Sequence, residues 1–171
     1  MMTVALSLFL IACLIACVTD SRNRRIPNAL TYGAITIALT FAAFRGPLPF
    51  AQAFGAALLT LLIGSMLLGL GWLGGGDVKL LAAGAATVGF PSFLLVIAYI
   101  AVAGGFFAAV TAWRDGRLQT VVTHIFQSIA GKTAIVADPR GRRVPYALAI
   151  CAGTCYYAAS ESIAPWLQLV R

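Results

Sequence analysis

Long apolar runs separated by short polar linkers constrain this chain more than any other feature of its sequence. The runs lie at about 2–19, 29–44, 50–72, 78–91, 92–113 and 144–164. Crossing a bilayer as a helix takes about 20 mostly apolar residues, with every backbone polar group satisfied inside the segment. Charged residues make up only 10% of the chain, against about 25% in soluble domains. The sequence therefore predicts an all-α, polytopic integral membrane bundle of about six transmembrane helices, forming one domain over residues 1–171.

The first run and the linkers carry further boundary signals. The charges near the first run follow it, from Asp20 onward, whereas a signal peptide carries its basic residues before the run. We therefore expect a retained helix. Pro27 fits the start of the second helix, the segment 45–49 is predicted to be a turn, and Gly89-Phe90-Pro91 is predicted to divide the short fourth helix from the fifth.

The basic residues are concentrated in alternate linkers. Ten of the 12 lysines and arginines lie in the linkers 20–28, 73–79 and 114–143. Cytoplasmic loops of membrane proteins carry such an excess, so these linkers are predicted to face the cytoplasm and both termini the outside. The net charge of +7 thus reflects membrane topology, and the predicted partners include membrane lipids but no nucleic acid.

The longest linker, 114–143, has a helical pattern of its own. Its apolar residues fall on one helical face, and polar residues occupy much of the rest; the apolar set is Leu118, Val121, Val122, Ile125 and Ile129. This pattern predicts an amphipathic helix on the cytoplasmic membrane surface. A soluble helical hairpin is the alternative.

Two aspartates, Asp20 and Asp77, are predicted to lie together at the cytoplasmic interface. Asp77 follows Gly74-Gly75-Gly76 at the start of the fourth span, where it could act as a helix cap. Asp20 follows the first span, where the helix dipole disfavours an anion and where exposed ion pairs stabilise little. Acids at membrane helices are functional candidates.

Two carboxylates brought close together can perform peptide hydrolysis. They cannot both ionise easily, so the pair tends to share one proton and titrates as a unit. The ionised carboxylate can take a proton from water, while the protonated one polarises the amide carbonyl or protonates the leaving nitrogen. This aspartic peptidase chemistry needs no metal and no cofactor. The three glycines would let an extended peptide backbone approach the acids closely.

The motifs around both acids resemble those of the prepilin peptidases, which are membrane aspartic peptidases. The residues that carry the resemblance are G-x-G-D at Gly74 to Asp77 with Val78-Lys79-Leu80 after it, D-x-R-x-x-x-I-P-N at Asp20 to Asn28, and Val144-Pro145-Tyr146. With six helices and both acids on one side, the resemblance spans the whole chain. The short length and minimal loops are most similar to the enzymes that serve Flp-type (tight adherence) pili.

The resemblance implies an activity and a set of site residues. Such enzymes cut prepilins and pseudopilins just before their hydrophobic segment, after a short basic leader, at the cytoplasmic face of the bacterial inner membrane. Asp20 and Asp77 would be catalytic, and the implied supporting residues are Arg22, Pro27, Asn28, Gly74, Gly75, Gly76, Lys79, Pro145 and Tyr146. Lys79 is either an interfacial lysine or a contact to the dyad or the substrate. Longer members have an N-terminal cytoplasmic region, often with a cysteine tetrad, and also N-methylate; lacking that region, this chain is expected to be a peptidase only.

Other chemistries fit the sequence less well. The cysteines come as Cys13/Cys17 and Cys151/Cys155 inside apolar runs, which is typical of small buried side chains. His124 is the only histidine, and the zinc-peptidase, P-loop and serine-hydrolase motifs are absent. Two alternatives remain: an ion- or proton-coupled transporter, which predicts acids near the midplane and inverted repeats, and a non-catalytic scaffold for pilus assembly.

Overall fold

Six α-helices make up most of the computed structural model, which describes residues 2–23, 25–116 and 146–163 together with Gln119 and Thr123. The helices are α1 (Met2–Asn23), α2 (Asn28–Arg45), α3 (Pro47–Gly69), α4 (Gly75–Val88), α5 (Phe93–Arg114) and α6 (Tyr146–Ile163). Within the described residues there is no strand, which confirms the all-α prediction for that part of the chain. The amphipathic helix predicted in the 114–143 linker and His124 lie outside them.

Several helix boundaries differ from the predicted ones. Helix α1 continues through Asp20 to Asn23, beyond the predicted end of the first span at residue 19, so Asp20 lies close to the end of the first helix, as expected, but inside it. Helix α3 begins at Pro47, which reduces the turn predicted at 45–49 to Gly46. Gly46 has φ +121°, a conformation that side-chain-bearing residues rarely adopt, and this allows α2 and α3 to be joined by one residue.

Helix α4 lies at the centre of the bundle and contacts each of the other five helices. It is the shortest helix, with 14 residues and a length of about 21 Å. Small residues permit this central position: a Cβ added at Gly84 would lie 2.9 Å from the Phe9 ring of α1. The residues from Ala82 to Val88 are all buried. The helix that carries Asp77 is thus enclosed by its neighbours.

Three helices are long and apolar enough to cross a membrane, judged by length and composition within the described residues. They are Thr3–Asn23, Pro47–Gly69 and Phe93–Arg114. Their outer surfaces carry large apolar side chains that no other helix covers, such as Met66, Val102 and Phe106. Water cannot solvate such a surface favourably, whereas lipid can. The remaining three helices are shorter, so the total of six spans stays a prediction.

The cysteine pairs of α1 and α6 face each other, which the sequence did not indicate. Cys13, Cys17 and Cys151 are buried and Cys155 is exposed, so the prediction of buried cysteines is confirmed for three of the four. The Cys17 and Cys151 thiols interact electrostatically across the two helices. All four cysteines are free. These thiols help to fix α1, which carries Asp20, against α6.

Candidate active site

Asp77 occupies the first turn of α4, where its carboxylate faces the turn's own backbone. Gly74 is the N-cap, with extended backbone angles, and its N–H donates a hydrogen bond to Asp77 Oδ2 at 3.2 Å. A Cβ at position 74 would lie only 2.8 Å from that oxygen. A side chain at position 74 would therefore displace the Asp77 carboxylate from this position. Asp77 therefore stabilises the start of α4 as an acidic cap would, but it does so from the third helical residue and not from the N-cap position.

The linker between α1 and α2 packs directly on the glycine run. A Cβ added at Gly76 would lie 3.0 Å from the Ile26 Cβ, so only glycine leaves room for the isoleucine without a shift. The next residue, Pro27, is the N-cap of α2, and its carbonyl accepts hydrogen bonds from the N–H groups of Leu30 and Thr31. Pro27 thus precedes the helix by one residue, close to its predicted place. This packing brings the two predicted motifs into contact.

Asp20 and Asp77 lie close enough for their charges to interact. Asp77 stands just before the predicted span 78–91, and its pKa is raised from 3.8 to about 6. Burial is the largest cause and the nearby Asp20 carboxylate the second, while the hydrogen bond from Gly74 opposes both. Each acid keeps partial exposure, so water can reach them. The structure therefore brings together two acids that are far apart in sequence, and the raised pKa lets Asp77 hold its proton up to about pH 6.

Lys79 turns away from the acids and binds α2. Its Nζ donates a hydrogen bond to Asn28 Oδ1 at 2.9 Å and lies 4.7 Å from the centroid of the Tyr32 ring. Asn28 and Tyr32 are four residues apart, on one face of α2. We name this three-residue contact the α2–α4 clamp. Sequence reasoning missed Tyr32, although its spacing from Asn28 was a signal that both could meet one partner.

Two further predicted residues are found at the site or beside it. Tyr146, the first residue of α6, is half-buried and interacts electrostatically with Asp77. Its hydroxyl lies beside Gly104 of α5, 3.7 Å from where a Cβ would stand. Arg22 lies in the last turn of α1 and is exposed. Pro145, the remaining predicted residue, lies outside the described part of the chain.

The arrangement can perform general acid–base chemistry. A carboxyl whose pKa is raised to about 6 lies beside a second carboxyl, and the Tyr146 phenol interacts electrostatically with Asp77. In the described ranges, no three His, Cys, Asp or Glu side chains are grouped so that they could hold a metal ion. The groups on hand are therefore two acids and a phenol.

Comparison with known proteins gives one match. The family model described as the type IV leader peptidase family matches residues 7–109. The matched stretch includes both aspartates, the glycine run and all three residues of the α2–α4 clamp, and it ends before α6. Neither the curated proteins nor the solved structures contain a match.

Proposed function

The chain belongs to the type IV leader peptidase family, and from this premise we propose that it is an aspartic endopeptidase that removes the basic leader from type IV prepilins. Family membership makes it a membrane-embedded, leader-peptidase-like protease. The aspartic mechanism, the Asp20/Asp77 dyad and the prepilin substrate are the proposal.

The interaction between the Asp20 and Asp77 carboxylates is the observation that carries the proposal. An aspartic peptidase needs one ionised and one protonated carboxyl at the same time. Burial and the neighbouring charge of Asp20 raise the pKa of Asp77 to about 6, which favours a singly protonated pair around that pH. Since the two sites interact, the apparent pKa values belong to the pair, and neither acid is assigned the role of base.

The dyad would hydrolyse the peptide bond without a covalent intermediate. The ionised carboxylate accepts a proton from a water molecule, whose oxygen attacks the carbonyl carbon of the scissile bond. The protonated carboxyl donates a hydrogen bond to the carbonyl oxygen and then a proton to the leaving nitrogen. The carbon–nitrogen bond breaks to give a carboxylic acid and a free amine, and the dyad ends with one proton, as it began.

The proposed substrate is a Flp-type prepilin or a pseudopilin, cleaved at the cytoplasmic face of the bacterial inner membrane. The basic linkers support this orientation, with both termini outside. Because that face and the leader are both basic, charge attraction cannot steer the leader to the protein as a whole. We propose that recognition depends on the apolar stem of the substrate packing against the helix bundle. N-methylation of the product is not part of the proposed activity.

Replacing each acid by its amide tests the proposal. Each of Asp20→Asn and Asp77→Asn, co-expressed with a candidate prepilin, should leave the precursor uncut, as read from the mass of the product. Asp115→Asn is the matched control, because Asp115 is an exposed acid that follows α5 and is not among the groups that shift the pKa of Asp77. It should cleave like the wild type.

The outcomes separate the candidate functions. Continued cleavage by both amide variants, with normal membrane insertion, would defeat the peptidase proposal. A transporter or a pilus scaffold predicts an uncut precursor even with the wild-type protein.

A further inference from the structure

We propose that the α2–α4 clamp, formed by Lys79, Asn28 and Tyr32, is a positioning device that sets the orientation of Asp77 in the proposed dyad. This inference rests on the proposed function and concerns a contact that reaches neither acid. Lys79 is a positioning residue here because it acts through the first turn of α4.

The start of α4 has few side chains with which to fix itself. Residues 74 to 76 are glycines, so the first long side chains after Asp77 are those of Val78 and Lys79. Val78 is buried and fills the space beside Gly64 of α3, where a Cβ would lie 2.6 Å from Val78 Cγ1. Lys79 reaches α2. Successive residues project about 100° apart around a helix, so these two contacts hold the turn from two directions.

The geometry of the clamp restrains rotation of α4. The ammonium group is bound at two points, by the Asn28 amide oxygen at 2.9 Å and by the Tyr32 ring at 4.7 Å. Both partners belong to the first turns of α2, and Ile26, two residues before this helix, packs on the glycine run. If α4 turned about its axis, Lys79 would leave both partners and the Asp77 carboxylate would change direction with it.

The charge of Lys79 does not account for its role at the site. The pKa of Asp77 is governed by burial, by Asp20 and by the N–H of Gly74. The ammonium group is directed to α2. The effect of Lys79 on catalysis should therefore come through geometry, and displacements of about 1 Å at a catalytic group can cost about 100-fold in rate.

Steady-state cleavage kinetics on a purified prepilin in detergent micelles test the clamp. Lys79→Met should lower kcat about 10- to 100-fold with little change in KM, since the acids lose alignment and substrate binding does not use the ammonium. Tyr32→Phe keeps the ring and should behave like the wild type. Tyr32→Leu removes the ring and should lower kcat. Tyr32 is 54% exposed, so this truncation leaves no cavity in the core.

The double variant Lys79→Met/Tyr32→Leu gives the decisive comparison. If the two residues act as one device, the double variant should be about as slow as Lys79→Met alone, because contacting residues are not additive. Independent, multiplying effects would overturn the inference. So would a raised KM with an unchanged kcat, which would make Lys79 a substrate-binding residue, or a Tyr32→Leu variant equal to the wild type.

The clamp and the proposed function can fail separately. If Asp20→Asn and Asp77→Asn still cleave, the proposed function is wrong whatever the clamp variants do. If both amide variants are inactive and the clamp variants have normal kcat, only the clamp inference is wrong. Asn28→Ala provides a second route to the same answer: it removes the acceptor of the Lys79 hydrogen bond at an exposed position and should also lower kcat.

Discussion

Replacing Asp77 by asparagine is predicted to stabilise the folded protein at high pH, because the substitution removes a partly buried negative charge. Burial and the Asp20 carboxylate both disfavour the ionised form of Asp77, as its raised pKa of about 6 records. Asparagine has nearly the same shape and never ionises. Its side-chain oxygen can still accept the hydrogen bond from the Gly74 N–H. Asp77→Asn should therefore abolish the cost of the buried charge and keep the local structure.

The size and direction of the effect follow from the pKa of Asp77. A carboxyl whose pKa is higher in the folded than in the unfolded protein stabilises the fold fully below its unfolded value. That contribution is lost as the pH rises through the folded value, here from about 4 to above 6. A rise of about two pKa units corresponds to about 3 kcal/mol. Asp77→Asn should thus match the wild type near pH 4 and exceed it by about 2–3 kcal/mol at pH 8.

Thermal unfolding in detergent micelles measures this difference. The helices provide the probe, since the loss of their far-ultraviolet circular dichroism reports unfolding at pH 4 and at pH 8 alike. For a chain of this length, about 2–3 kcal/mol corresponds to a rise in Tm of about 5–10 °C. Asp115→Asn removes one negative charge at an exposed position and reports the effect of net charge alone.

The pH dependence decides the outcome. The reasoning is refuted if Asp77→Asn gains no more over the wild type at pH 8 than at pH 4, or if Asp115→Asn gains as much. In either case the Asp77 carboxylate would not be held against a desolvation cost, and the proposed sharing of a proton would lose its support.

Three further outcomes are expected. Gly153→Ala should lower the Tm by the equivalent of about 1–3 kcal/mol. The added Cβ would lie 2.6 Å from the backbone nitrogen of Ile100, and a backbone atom cannot move aside as a side chain can. Gly105→Ala is the control and should not lower the Tm, because no atom lies within 4 Å of its added Cβ. Gly76→Ala should lower kcat and change the Tm little, because the added methyl group displaces Ile26 beside the dyad. An unchanged kcat would contradict this. Exchanging the leader lysines of the substrate should reduce cleavage less than polar substitutions in its apolar stem, and the opposite ranking would count against recognition by the stem.

The meeting of the two acids could be predicted because hydropathy and charge fix topology. Two apolar runs separate the linker after α1 from the linker before α4, so a chain that reverses direction after each run brings both linkers, with Asp20 and Asp77, to the same end of the bundle. The predicted helix boundaries were less accurate. Hydropathy falls after Thr19, but helical hydrogen bonding continues through polar residues to Asn23, since interfacial water does not end a helix.

The lateral contacts between helices could not be read from the sequence. The spacing of Cys13 and Cys17 shows that they share a face of α1, but not that α6 presents Cys151 to that face. Tyr32 is an exposed aromatic residue in an apolar run, a pattern equally typical of a membrane-interface anchor. The neighbours of each helix depend on how small residues fit against large ones, as Gly84 fits against Phe9. Such pairs are far apart in the chain and leave no local pattern in a single sequence.

The enclosed position of α4 has a consequence for how the protein responds to its lipids. A bilayer thicker or thinner than the bundle acts first on helices that touch acyl chains, and the long helices α1, α3 and α5 are the ones exposed to that stress. Helix α4 is only about 21 Å long and contacts each of the other five described helices, so it is shielded from that stress along most of its length. Reconstitution in phospholipids of different chain length should therefore shift Asp20, which α1 carries, relative to Asp77 on the enclosed α4, and so alter the turnover of the proposed reaction.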